Sequence, residues 1–284
     1  MQRVRDSEAV RRIVATALEE DLGAEGDLTT AAVVPEDRTA VGHLIARAEL
    51  VIAGLAVARE VFRQLDPSLI FLELSSEGDR AEPGQRLATV TGPARPILQG
   101  ERTALNFMMR MSGIATTTRR AVDEIAGTGA RILDTRKTAP GLRVLDKLSV
   151  AIGGGENHRM GLYDAVMIKD THLGVGGSVT EAVRAAFSSG VPRERITAEV
   201  RNLPELEEAI AAGAGRALLD NMSVAGIREA VRAGKGRIVL EASGGLRPGG
   251  LRGIAETGVD FLSVGWLTHS VTAADVAMET EEAP

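Results

Sequence analysis

Apolar and polar positions alternate along this chain in two different ways, and the change comes near residue 130. Residues 5–21 carry Ile13, Ala17 and Leu18 at helical spacing and close on acidic residues, which predicts a helix. Gly26-Asp27-Leu28-Thr29-Thr30 reads as a turn. Residues 39–52 read as strand and 55–65 as helix. A β-rich stretch follows, with strands over 70–74 and 86–91 and turns at Glu77-Gly78-Asp79 and Pro83-Gly84-Gln85. This mixture predicts a small α+β domain. A long helix is predicted over 97–126, with Leu98, Leu105, Met108, Met109, Ile114, Val122 and Ile125 on recurring faces. Gly113 is a candidate kink in it, and Gly127-Thr128-Gly129 its end.

Beyond that point, strand-like apolar runs alternate with helical patterns. The runs are 131–134, 164–169, 196–200, 216–220, 237–241 and 260–265; the helices between them are 141–152, 178–189, 203–213, 223–233 and 248–257. Such alternation implies parallel strands with right-handed crossovers, in a barrel or an open sheet. The strand ends decide between the two. They finish on Asp134-Thr135-Arg136-Lys137, Lys169-Asp170, Glu199, Asp220-Asn221, Glu241 with Ser243-Gly244-Gly245, and Gly265. An open sheet gathers ligand groups at one switch point, whereas a barrel draws them from the carboxyl ends of many strands. The pattern favours an α/β barrel, and six strands in place of eight make it irregular or incomplete. The expected division is 1–110 for the first domain and 111–270 for the barrel, with the tail 271–284 packing on the first domain.

Composition narrows the function. A chain of 284 residues suffices for about two domains with full cores. Cysteine is absent, which excludes disulfides, thiolate zinc sites and cysteine nucleophiles. No run of about 18 apolar residues occurs, so no membrane span is expected. The first residues lack the apolar segment of a secretory signal, so a cytoplasmic location is expected. Seven aromatic residues are too few for base-stacking surfaces, and a net charge of −6 does not suit a polyanion footprint.

Against that acidic balance, residues 131–172 hold seven Lys and Arg but five Asp and Glu. Arg136, Lys137, His158, Arg159 and Lys169 lie at or near strand ends, where convergent cations bind carboxylates and phosphates. The implied ligand is small and multiply anionic. Glu199 and Asp220, also at strand ends, suit Mg²⁺ shared with substrate phosphates, or a structural ion pair with the neighbouring bases. Ser243-Gly244-Gly245 and Gly265 follow late strands, where barrels hold a phosphate on backbone N–H groups; Gly153-Gly154-Gly155 is a third such loop. Lys169 alone is a candidate Schiff-base lysine. His43 and His269 are isolated and read as packed or surface residues. P-loop, nucleophile-elbow and zincin motifs are absent.

One family matches these residues. Glu101-Arg102-Thr103-Ala104-Leu105-Asn106, Met111-Ser112-Gly113-Ile114-Ala115-Thr116, Asp134-Thr135-Arg136-Lys137-Thr138, Gly153-Gly154-Gly155-Glu156-Asn157-His158-Arg159 and Ile168-Lys169-Asp170 together resemble the quinolinate phosphoribosyltransferases. The likeness reaches Gly26-Asp27-Leu28-Thr29-Thr30 at one end and Thr268-His269-Ser270 at the other, nearly the whole chain. It implies an N-terminal α+β sandwich-like domain followed by an incomplete α/β barrel. It implies a reaction: quinolinate and phosphoribosyl pyrophosphate give nicotinate mononucleotide, pyrophosphate and CO₂, with Mg²⁺, in NAD biosynthesis. It also implies a homodimer whose active site is completed by Arg102 of the neighbouring subunit.

By the same resemblance, Arg102, Arg136, His158 and Arg159 hold the quinolinate carboxylates, with Thr135 in the substrate-binding set. Lys137 and Lys169 contact phosphoribosyl pyrophosphate, Glu199 and Asp220 orient the ribose or its Mg²⁺, and Ser243, Gly244, Gly245 and Gly265 hold the 5-phosphate. Lys137, Lys169, Glu199 and Asp220 are the expected catalytic set. Two positions depart from the family pattern: Thr171, where Asn is usual, and Trp266, where a small residue is usual. Trp266 either crowds the phosphate pocket or packs outward against another subunit. Competing readings are a related phosphoribosyltransferase acting on nicotinate or another small anion, and an aldolase built on Lys169. The segment 77–85 also resembles the turn of a lipoyl-like carrier, but no lysine lies between Val41 and Pro96 to bear the group.

Overall fold

The computed structural model describes residues 8–283. Residues 5–7 of the first predicted helix lie outside that range; its remainder is the helix Glu8–Leu22. Among the described residues the strands are β1 Thr39–Ala46, β2 Leu50–Val51, β3 Ile70–Glu73, β4 Arg80–Ala81, β5 Arg86–Pro93, β6 Arg131–Leu133, β7 Val166–Ile168, β8 Ile196–Val200, β9 Arg216–Asp220, β10 Val239–Ser243, β11 Phe261–Ser263 and β12 Val276–Glu282. None of the described helices is long and apolar enough to cross a membrane.

The chain divides into two compact units. One comprises Met1–Arg119, Thr138–Gly154 and Leu267–Pro284; the other comprises Arg120–Lys137 and Gly155–Trp266. Helix Arg143–Ile152 therefore goes with the first unit, because Leu145, Leu148 and Ile152 are buried in its core beside Leu44, Leu55, Phe62, Ile97 and Met108.

The first unit carries an antiparallel sheet in the order β12-β1-β5-β3. Strand β12 is absent from the sequence reading, since Val276–Glu282 is mostly polar and shows no apolar run. Its cross-strand pairs supply the missing logic: Glu281 meets the buried His43 at 3.0 Å, and Glu279 meets Arg47 at 2.7 Å. The turn expected at 26–30 is instead the start of a short helix, Leu28–Val33, whose N-cap Asp27 accepts the Thr30 N–H at 3.0 Å. The long helix, Ala94–Glu124, runs unbroken through Gly113. A Cβ there would lie 2.2 Å from the Thr272 carbonyl oxygen, so this glycine permits close backbone approach and not a kink. Gly153 has a similar reason, since a Cβ would lie 2.5 Å from the Ala115 carbonyl.

The second unit is a sheet of six parallel strands in the order β6-β11-β10-β9-β8-β7. Strand β11 pairs back onto β6, so the last strand of the series meets the first, as a barrel requires. The seam lies between β6 and β7, which do not pair among the described residues. Residues 155–158 run along that open edge of β6: the Glu156 N–H donates to Ile132 O at 2.8 Å, and Asp134 N–H to Glu156 O at 3.1 Å. The expected incomplete α/β barrel is what forms.

Alternation along the strands sorts the two faces. Ala198, Val200, Ala217, Leu219, Leu240, Ala242 and Leu262 are buried apolar residues. The intervening positions, among them Glu199, Arg216, Asp220, Glu241, Ser243 and Ser263, carry the polar groups of the opposite, inner face. Strand β10 starts two residues later than predicted. Helices Asp170–Gly176 and Trp266–His269 are additions, and the predicted helix over 248–257 shortens to Leu251–Ala255. The Glu124 carboxylate accepts the N–H groups of Gly249 and Leu251 at its start.

Candidate active site

The polar groups gather at the carboxyl ends of the six strands. Asp134, the residue after β6, is fully buried. Its carboxylate accepts Asn157 Nδ2–H at 2.7 Å and the His158 backbone N–H at 2.8 Å. This fixes the segment Asn157-His158-Arg159 against β6. Beyond Asp134 the chain turns, with the Lys137 N–H donating to Thr135 Oγ1 at 3.1 Å, and sends out Arg136 and the exposed Lys137.

Arg136 and Arg159 lie close enough to repel. Burial, then the neighbouring Arg136 charge, hold the Arg159 guanidinium below its ordinary value, with Asp164 opposing. Arg159 Nη1 donates to Ala165 O at 2.9 Å. Asp164 accepts the Met160 N–H at 2.6 Å; this bond and that from Gly161 outweigh burial and keep its carboxyl below the usual range. The result is two like charges within electrostatic reach of each other, a combination suited to a dianion.

Across the seam, Lys169 Nζ lies 3.5 Å from Glu199 Oε2. The next residues are joined by an ion pair between Asp170 and Arg201. Asp170 first, then Glu199 and Asp220, hold the Arg201 guanidinium above its ordinary value. Arg201 is thus a member of this cluster that the strand ends did not single out, although it directly follows β8. Asp220 accepts Asn221 Nδ2–H at 2.9 Å, and the Asn221 N–H donates to Ser243 O at 2.9 Å. Asn221 has φ +53°, and its side chain lies flat against Gly244, where a Cβ would fall 2.4 Å from Asn221 Oδ1. Gly244 and Gly245 are both left-handed, at φ +85° and +64°. Trp266 is half-buried, and its indole N–H donates to Leu246 O at 3.0 Å. It braces the glycine loop from the end of β11.

Beneath these groups lies Glu241, fully buried on β10. It accepts the Ser263 hydroxyl, pairs with Arg216 at 2.9 Å, and faces His158 Nε2 at 3.3 Å. Burial pushes this carboxyl up; His158, Ser263 and Arg216 outweigh it and hold the group below its ordinary value. Arg216 and Arg131 lie over the Phe261 ring, at 4.6 and 4.2 Å from its centre.

Arg136 and Arg159 are therefore brought together, as are Lys169 with Glu199 and Asp220 with the Ser243-Gly244 turn. Gly265 lies next to Trp266 at the end of β11. Arg102 is exposed on helix Ala94–Glu124 in the first unit. His43 and His269 are occupied by Glu281 and Ser270. Among the described residues no group of three or more His, Asp or Glu is placed to hold a metal. Two carboxylates, Glu199 and Asp220, each already engaged by a neighbour, suit an ion held through water and substrate phosphates, not one caged by protein.

Comparison with known proteins gives matches over most of the chain. The model of the quinolinate phosphoribosyl transferase C-terminal domain matches residues 114–279, and that of the N-terminal domain matches 27–112. The chain is 40% identical over 260 residues to a Bacillus subtilis protein named probable nicotinate-nucleotide pyrophosphorylase (carboxylating), covering 92% of this chain and 89% of that one. It is 41% identical over 290 residues to the chloroplastic nicotinate-nucleotide pyrophosphorylase (carboxylating) of Oryza sativa subsp. japonica, covering 96% and 78%. The structure of the nicotinate-nucleotide pyrophosphorylase from Francisella tularensis superposes with a TM-score of 0.90 at 38% identity, covering 96% of each chain.

Proposed function

The chain belongs to the quinolinate phosphoribosyltransferase family, and on that premise we propose that it transfers phosphoribosyl to quinolinate with decarboxylation. The products are nicotinate mononucleotide, pyrophosphate and CO₂, which makes it a pentosyltransferase of NAD biosynthesis. The observation that carries this reading is the Asp134 anchor, which holds Asn157-His158-Arg159 beside the strand-end turn bearing Arg136 and Lys137, set across the strand ends from Lys169 paired with Glu199.

Quinolinate is a dicarboxylate, and Arg136 and Arg159 take its carboxylates, with His158 beside them and Arg102 supplied by the neighbouring subunit of a homodimer. Thr135 shapes the turn that presents Arg136 and Lys137. Lys137 and Lys169 neutralise the pyrophosphate as it leaves. Ser243, Gly244, Gly245 and Gly265 hold the 5-phosphate on backbone N–H groups. Glu199 and Asp220 face the ribose and would hold Mg²⁺, which when bound would supply positive charge against the pyrophosphate.

The ring nitrogen attacks the anomeric carbon as the bond to pyrophosphate breaks. Positive charge develops on the ribose, which Glu199 and Asp220 stabilise, while Lys137 and Lys169 stabilise the departing oxyanion. The alkylated ring nitrogen is then positive, and its charge stabilises the electron pair left on the adjacent ring carbon as the carboxylate departs as CO₂. A proton from solvent replaces it on the ring carbon. No protein nucleophile is needed, which accords with a chain without cysteine. A cytoplasmic location is part of the same proposal.

Incubation with Mg²⁺, phosphoribosyl pyrophosphate and carboxyl-labelled quinolinate should release labelled CO₂ and form nicotinate mononucleotide, and Lys137→Ala should abolish both. Mononucleotide from nicotinate with no CO₂ from quinolinate would move the acceptor and keep the transferase.

A further inference from the structure

One buried charge takes no part in that chemistry. Glu241 sits on the inner face of β10 with no exposed surface, below the strand-end groups. Three side chains converge on it: Ser263 from β11, Arg216 from the start of β9, and His158 from the edge of β6. On the other side of the imidazole, His158 Nδ1 accepts the backbone N–H of Arg159 at 2.7 Å. An acceptor at Nδ1 places the ring proton on Nε2, the nitrogen that faces Glu241. The ring thus spans from a buried carboxylate to the main chain of the residue that bears a substrate-binding guanidinium.

We propose that Glu241 is a positioning residue of the acceptor subsite: through His158 it fixes the backbone from which Arg159 projects. This rests on the reading of Arg159 as a quinolinate ligand. The chain of contacts is short. Glu241 sets the His158 tautomer and ring angle; the ring receives the Arg159 N–H; Asp134 independently receives the His158 N–H at 2.8 Å. Arg216 and Ser263 keep the carboxylate aimed.

Two measurements on the full-length protein test this. The chain has four histidines, so ring ¹⁵N signals can be assigned by substitution. Wild-type His158 should show the Nε2–H tautomer, and Glu241→Gln should mix the tautomers. In steady-state kinetics, Glu241→Gln should raise KM for quinolinate by about tenfold or more while KM for phosphoribosyl pyrophosphate stays within about twofold. His158→Asn should show a similar loss, and the double variant should be no worse than His158→Asn alone. Glu241→Asp, which restores the charge, should recover part of the affinity. Should Glu241→Gln fail to fold, Ser263→Ala weakens the same carboxylate with little change in volume and should shift KM for quinolinate in the same direction. A wild-type Nδ1–H tautomer, additive losses in the double variant, or an unchanged quinolinate KM in a folded variant would overturn the proposal. Absence of turnover with quinolinate in the wild type would instead overturn the reaction, and the tautomer spectrum would still decide whether Glu241 governs His158.

Discussion

Replacing Gly244 by alanine separates backbone strain from damage to the loop proposed to hold the 5-phosphate. Gly244 has φ +85°, and its Cβ would lie 2.4 Å from Asn221 Oδ1 and 2.5 Å from Cγ. An alanine held in the left-handed region costs about 1–2 kcal/mol. The Asn221 amide must also move, losing its bond to Asp220 at 2.9 Å, for about 0.5–1.5 kcal/mol more. The sum for Gly244→Ala is about 1.5–3.5 kcal/mol. Gly213 is the matched control: it has φ +93°, caps helix Leu203–Ala212 and has nothing within 4 Å of its Cβ position. It precedes β9, whereas Asn221 follows it, so Gly213→Ala bears only the strain, about 1–2 kcal/mol. At about 2–4 °C per kcal/mol for a chain of this size, both variants should melt lower, Gly244→Ala by the larger amount. Initial rates over a range of phosphoribosyl pyrophosphate, at saturating quinolinate, should then part them. Gly244→Ala should raise KM for that substrate about tenfold, equivalent to about 1.4 kcal/mol, and Gly213→Ala should leave it unchanged. Equal effects of the two substitutions on KM would refute the assignment of the Asn221–Gly244 contact to the phosphate site.

The same kinds of contact set three further expectations. Arg110 Nε and Nη2 each donate at 2.8 Å to the fully buried Asp146, so Arg110→Met should destabilise the protein by about 3–5 kcal/mol, read as a lower urea midpoint. Lys169 is 45% exposed, and an exposed pair contributes about 0–1 kcal/mol, so Lys169→Met should leave Tm nearly unchanged while kcat/KM falls about 100-fold. Glu241 is held below its ordinary 4.5 in the folded protein. A depressed carboxyl contributes stability above its unfolded value and loses it as pH falls through the folded one; the deficit of Glu241→Gln in denaturant titrations should therefore be full at pH 7 and shrink below about pH 4.5.

How legible the fold is in the chain depends on which face of a strand a residue occupies. Strands β8 and β9 fall where the apolar runs predict them, because Ala198, Val200, Ala217 and Leu219 alternate with residues that end on a charge. Strand β10 starts two residues after its predicted position because Ile238 continues the apolar run backwards, although it belongs to the turn after helix Val224–Gly234. Strand β12 is invisible in the sequence: it is mostly polar, and its pairing to a β1 so distant along the chain leaves no local periodicity. The candidate site residues are legible because a polar group that closes a buried apolar run marks the point where a strand leaves the core for a strand-end loop. The contacts of Trp266 are not. A large side chain next to a glycine loop reads as an obstruction, while its indole N–H in fact ties that loop to β11.

Arg216 and Glu241 show the limit most plainly. In sequence, Arg216 opens an apolar run and looks like its solvent-facing end; Glu241 lies within its predicted strand's closing residues and looks like another site group. In the fold both point to the inner face, and Phe261 and Ser263 from the neighbouring strand complete their surroundings. A carboxylate with no exposed surface is costly unless paired and hydrogen-bonded, and here the partners come from β9, β11 and the edge of β6. Only the closure of β11 onto β6 brings those three within reach of one oxygen pair. The same closure therefore explains how a six-stranded sheet can keep a carboxylate fully buried in its interior: the partners that compensate it come from separate stretches of sequence, and no single stretch displays them.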